Sequence, residues 1–170
     1  YDDDLGPVIN KRQLDNMVAA VARARQAGAT VLIGGGRMAD VAHRNGFFMM
    51  PTLLEGADAS DEISRAELFG PIACLYRVSD FEEALALANT SPFGLTAAIH
   101  TASVDRGMTF LSRIKSGVAS INGATYGSEP HMPFGGLRQS GTGWREAGTE
   151  ALDVYSDWKT IYINANPASV

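Results

Sequence analysis

Glu67-Leu68-Phe69-Gly70-Pro71 runs directly into Ile72-Ala73-Cys74-Leu75-Tyr76-Arg77-Val78. The first five residues close a polar turn, and the next seven read as an apolar strand. From this point the pattern repeats as strand, helix, strand, helix, strand. Ser79 and Glu82 have the spacing of a capping box for a helix through Ala88. Leu95–His100 reads as a strand, Ser103 or its neighbour as the start of a helix through Lys115, and Gly117–Ile121 as a third strand. Strands alternating with helices of this length predict right-handed crossovers. The expected fold is therefore α/β, with a mostly parallel sheet carrying helices on both faces.

Upstream, Leu14, Met17, Val18, Val21 and Ala22 recur at helical spacing, which predicts an amphipathic helix over 10–27 with Gly28 at its carboxyl end. Thr30–Ile33 follows as a short strand stopped by Gly34-Gly35-Gly36, and 37–46 as a polar turn. Phe47–Leu54 is expected to be a strand, edged or bulged at Pro51. Downstream, a glycine-rich loop spans Asn122 to Gly143, a helix is expected from Trp144 to about Asp157, and a last strand at Lys159–Asn164. That strand alternates Ile161 and Ile163 with Tyr162 and Asn164. Nothing follows to pair with it, and open strand edges invite partners, so a homo-oligomer formed through 159–164 is expected.

Composition narrows the function classes. The chain has 170 residues, 45% hydrophobic and 19% charged, with a net charge of −5. These values suit a globular domain with a real core and argue against a nucleic-acid partner. No apolar run reaches 18 residues, so no membrane-spanning helix is expected. Tyr1-Asp2-Asp3-Asp4 is not an initiating Met and lacks the basic and apolar regions of a signal peptide, which suggests a trimmed piece of a longer protein. One cysteine fits a reducing, cytoplasmic setting. With three scattered histidines it supplies no metal cluster.

Several residues invite a chemical role. Glu67 stands at the mouth of a strand, where α/β sheets bind ligands, and a carboxylate can accept both hydroxyls of a ribose diol. Taken alone it also reads as an ordinary exposed acid, and Phe69 as a core aromatic. Asn122 ends a strand and opens a loop, a position asparagine fills for turn reasons. Phe134, between Pro133 and two glycines, sits on a segment able to bend sharply and wall a pocket. Cys74 lies inside an apolar strand with neither His nor Lys beside it, so it reads as a core residue and not as a nucleophile. Gly34-Gly35-Gly36 lacks the spacing of a phosphate loop, and no Ser-His-Asp set has a convincing context.

Glu67–Pro71, Ser120-Ile121-Asn122, Pro133-Phe134-Gly135-Gly136 and Ser140-Gly141-Thr142-Gly143-Trp144-Arg145-Glu146, in that order, resemble the carboxyl-terminal part of the aldehyde dehydrogenase superfamily. The resemblance runs from Gly6-Pro7 to Lys159-Thr160-Ile161. It implies an NAD- or NADP-dependent oxidation of an aldehyde to a carboxylic acid. It also implies a part of the catalytic domain over 1–157 and an oligomerisation strand and tail over 158–170. The dinucleotide-binding domain and the nucleophilic cysteine would lie upstream of Tyr1, so the chain alone is expected to be inactive, with no catalytic residue of its own. Carried over, Glu67 holds the nicotinamide ribose and Phe69 packs near the nicotinamide ring. Asn122 supports the active-site architecture, and Phe134 walls the aldehyde tunnel. The 123–132 loop selects substrate, with Tyr126, Ser128, Glu129 and His131 as candidate contacts. Trp144 departs from the family's usual Gly-x-Gly-Arg-Glu. A non-catalytic assembly module, or a relative that passes its acyl group to a carrier thiol such as coenzyme A, are the alternatives.

Overall fold

The computed structural model describes residues 5–164. The acidic run at Asp2–Asp4 and the last residues of the expected tail, 165–170, lie outside them. The chain divides into two compact units, one ending at Ser91 and the other beginning at Pro92.

In the first unit, helix α1 covers Lys11–Gln26. Asn10 caps it by accepting a 2.9 Å bond from the Gln13 amide. Leu14, Met17, Ala20, Val21 and Ala24 form its buried stripe; of the residues foreseen there, Val18 is half-buried and Ala22 is exposed. Strand β1, Thr30–Ile33, pairs antiparallel with β2, Thr52–Glu55. Helix α2, Glu62–Arg65, is tied to α1 by a two-pronged ion pair from Arg23 to Glu62, both arms 2.8 Å. Strand β3, Ile72–Leu75, pairs parallel with β2 in the register Thr52↔Ile72 to Glu55↔Leu75. Leu54, Met49, Ile63 and Leu68 complete the core under α1. Helix α3, Phe81–Ala88, closes the unit.

Three expectations change here. The strand foreseen at Phe47–Leu54 begins only at Thr52, because Pro51 has no N–H for a ladder; before it, Met49 alone makes a bridge, to Arg37. β3 stops at Leu75, and its alternate residues are exposed, so it is half-buried. The cap of α3 sits one residue later than predicted: Asp80 accepts from the Glu83 amide, and Glu83 reaches back to the Ser79 amide and hydroxyl, both at 2.7 Å.

In the second unit, β4, Phe93–Gly94, is followed by β5, Thr96–Ile99. Helix α4, Val104–Arg113, is capped by the Ser103 hydroxyl, which accepts from the Arg106 amide. It carries the chain across to β6, Val118–Ile121, parallel to β5 over four residue pairs from Thr96↔Val118 to Ile99↔Ile121. A short β7, Leu137–Arg138, returns antiparallel to β4. The class is α/β, with the parallel pairing carried by β2–β3 and β5–β6 and the strands shared among three small sheets.

The helix expected from Trp144 shrinks to α5, Ala151–Val154. Gly143, Ala147 and Gly148 all have positive φ, which a right-handed helix cannot accommodate. Residues 155–164 take no regular structure, and Ile161, Tyr162 and Ile163 are all exposed, so the expected last strand finds no pairing among the described residues.

Candidate functional site

The Glu67–Pro71 segment is pinned at its centre and open on its flanks. Leu68 is only 9% exposed and belongs to the core under α1. Its carbonyl accepts a hydrogen bond from the Gln13 side-chain amide. After it, the Ile72 amide donates to the Gly70 carbonyl and the Thr52 amide to the Pro71 carbonyl, both at 2.8 Å. Glu67 and Phe69, on either side of Leu68, are exposed. No described residue bonds the Glu67 carboxylate. Phe69 is 74% exposed and has φ +50°. A bulky aromatic in the left-handed region costs roughly 1–2 kcal/mol, and its ring gains no burial in return. The ring lines an open cleft of about 660 Å3 with Leu5, Val8, Ile9, Gln13 and Pro71.

Asn122, in the second unit, also has a positive φ, +55°. Its side-chain carbonyl accepts from the Thr101 amide at 2.8 Å, and its NH2 donates to the Thr101 carbonyl at 2.9 Å. One side chain thus clamps the loops that leave β5 and β6. Phe134 is half-buried, and its backbone exchanges two 2.7 Å bonds with Glu146. The glycines around it serve backbone contact. A Cβ on Gly117 would overlap the Gly135 carbonyl, and one on Gly136 would overlap Ser140. Arg145 braces the turn from its other side by donating to the Gly136 carbonyl at 3.4 Å. Tyr126 and His131 lie on the exposed 123–132 loop, and no described residue bonds either side chain. The structure therefore ties Phe134 down and leaves the other two pocket candidates in solvent. The sequence offered no sign of Gln13 as the partner of Leu68, because the two stand 55 residues apart.

Cys74 is half-buried in β3, with its Sγ 3.9 Å from the Ile63 carbonyl. Burial pushes its thiol above the ordinary value, the opposite of what an activated nucleophile needs. Burial likewise raises the phenol of Tyr76, whose hydroxyl donates to Ser64. Among the described residues no acidic, His or Cys cluster could hold a metal, and no helix is long and apolar enough to cross a membrane.

A raised folded pKa keeps the thiol protonated in the folded chain after the unfolded chain's thiol has ionised. Its stabilising contribution is complete below the unfolded value of about 8.5 and is lost as pH rises through the folded one. Tyr76 adds a second loss, beginning near its ordinary value of about 10. These two groups should therefore make the melting temperature fall as pH rises above about 8.5. Cys74→Ala should delay the start of that fall; an identical profile in the variant would show that the thiol does not titrate with unfolding.

Comparison with known proteins gives this arrangement its relatives. The profile of the aldehyde dehydrogenase family matches residues 1–161. The alpha-ketoglutaric semialdehyde dehydrogenase of Bacillus subtilis is 36% identical over 94% of this chain and 33% of its own length. The betaine aldehyde dehydrogenase of Brucella anthropi is 38% identical over 94% of this chain and 32% of its own. A crystal structure of a double-mutant betaine aldehyde dehydrogenase from Staphylococcus aureus, in complex with NAD+, superposes with a TM-score of 0.91 at 32% identity, over 98% of this chain and 33% of that one. The chain spans about a third of the length of the relatives it matches. On the extent of these matches, the chain belongs to the aldehyde dehydrogenase family.

Proposed function

We propose that this chain supplies the carboxyl-terminal third of an NAD(P)-dependent aldehyde dehydrogenase that oxidises an aldehyde to a carboxylic acid. One observation carries the reading: Phe69 is held both exposed and left-handed beside a carboxylate that no described residue bonds. Neither feature helps the fold, so both point outward to a ligand. The Glu67 carboxylate would hold a nicotinamide cofactor by accepting from its ribose hydroxyls, and the Phe69 ring would pack near the nicotinamide. When bound, the nicotinamide takes up the hydride. What these residues contribute is orientation, because hydride transfer demands a fixed distance and angle. Phe134 and the 123–132 loop wall the aldehyde, and Asn122 keeps the β5 and β6 loops in place behind them. Cys74 takes no part in the reaction. Its partial burial and raised pKa support a reading in which another part of the enzyme supplies the nucleophile and this chain alone does not turn over.

In the full-length enzyme, Glu67→Gln should slow hydride transfer by roughly 10- to 100-fold, since a misplacement of about 1 Å can cost on the order of 100-fold. Its aldehyde KM should change little. Pre-steady-state formation of NAD(P)H reads this directly. Wild-type rates at saturating cofactor would remove Glu67 from the ribose site.

The second expectation concerns assembly. Ile161 and Ile163, exposed on a segment with no pairing of its own, are proposed to dock on another subunit. Light scattering should find a dimer or larger species that dissociates when the chain ends at Asp157. A monomer, or an oligomer indifferent to the truncation, would contradict it.

A further inference from the structure

We propose that Gln13 is the positioning residue of the Glu67–Phe69 pair, locking the peptide between Leu68 and Phe69 so that both neighbouring side chains keep their outward placement. The proposal rests on the reading of those two residues as cofactor-facing.

Phe69 has φ +50°. Rotating the peptide plane between Leu68 and Phe69 changes ψ of Leu68 and φ of Phe69 together, and is the shortest route by which Phe69 leaves the left-handed region. The buried Leu68 side chain does not prevent that rotation. It anchors the Cα–Cβ direction and leaves the plane after it free to turn. The Gln13 amide, however, bonds the oxygen of that same plane. A flip would swing the carbonyl away and leave the bond unmade.

Gln13 is itself well placed to resist. Its backbone amide is held by the Asn10 cap at 2.9 Å. It lies one residue before Leu14 and four before Met17, both in the buried stripe of α1. Met17 is fully buried and packs under Gly70, where a Cβ would overlap its sulfur. The base of the segment is thus set by packing, whereas its twist is set by one side-chain hydrogen bond. That bond also places Gln13 in the wall of the cleft lined by Phe69, the position from which a change in the segment would be felt by a bound ligand.

The test uses two variants and two readouts. Gln13→Glu keeps the shape and removes the donor; Gln13→Lys restores a donor of similar reach. On this chain, NMR reads the sign of φ at Phe69 from the intraresidue amide–Hα contact, which is strong only for positive φ. The expected result is loss of that signature in Gln13→Glu, its recovery in Gln13→Lys, and unchanged exchange of the α1 amides in both. In the full-length enzyme, hydride transfer should slow by about 10- to 100-fold in Gln13→Glu, with aldehyde KM unchanged, and recover in Gln13→Lys. Retention of positive φ in Gln13→Glu overturns the lock whatever the kinetics show. Loss of positive φ with unaltered hydride transfer leaves the lock standing and overturns the cofactor-facing reading of Glu67 and Phe69.

Discussion

Everything proposed for the first unit depends on the burial of one residue, Leu68, beneath helix α1. Its side chain joins a core made by Leu14, Met17, Val21 and Leu54. Burying a leucine contributes about 1.5–3 kcal/mol, enough to offset the roughly 1–2 kcal/mol of a left-handed aromatic next door. That burial fixes the base of the segment, and the Gln13 bond to the Leu68 carbonyl keeps Phe69 left-handed upon it. Strain of this kind persists only where the surroundings over-determine it. Here a core leucine, a side-chain amide on α1 and two backbone bonds to β2 and β3 do so.

The second unit reaches its geometry by a different route. Its motifs are rich in glycine because backbone passes directly over backbone, with no room for a Cβ at Gly117 or Gly136. Close crossing brings the Phe134 and Glu146 backbones into a mutual pair, and Arg145 into reach of the turn. The glycines are thus the scaffold on which Phe134 is held. Asn122 acts similarly: its left-handed backbone and its two bonds to Thr101 make it a clamp between loops.

How much of this was legible in the sequence follows from range. Local signals read correctly. The α1 stripe, the helix start at Ser103 and the β5–α4–β6 crossover all depend on spacing within a few residues. Glu67, Phe69, Asn122 and Phe134 could be named from motifs, and Phe69 and Asn122 have positive φ, as do Arg138 and Ala147 among the described non-glycine residues. What failed depended on contacts or conformations that no local pattern encodes. The helix from Trp144 looked continuous, yet its first half is spent on pairing with Phe134 and on left-handed turns. The strand at Phe47 looked apolar enough, but Pro51 interrupts the ladder. Gln13 looked like any polar residue in the first turn of a helix, because its partner lies 55 residues away.

The central claim is that the Glu67–Pro71 segment is a preset platform for the nicotinamide end of the cofactor. A crystal structure of the full-length enzyme with bound NAD+ or NADP+ tests it most directly. The account predicts the Glu67 carboxylate within about 3.2 Å of the ribose hydroxyls, the usual reach of a hydrogen bond. It also predicts the Phe69 ring against the nicotinamide, with φ still positive. A cofactor bound elsewhere, with Glu67 in solvent or Phe69 relaxed to negative φ, would contradict it.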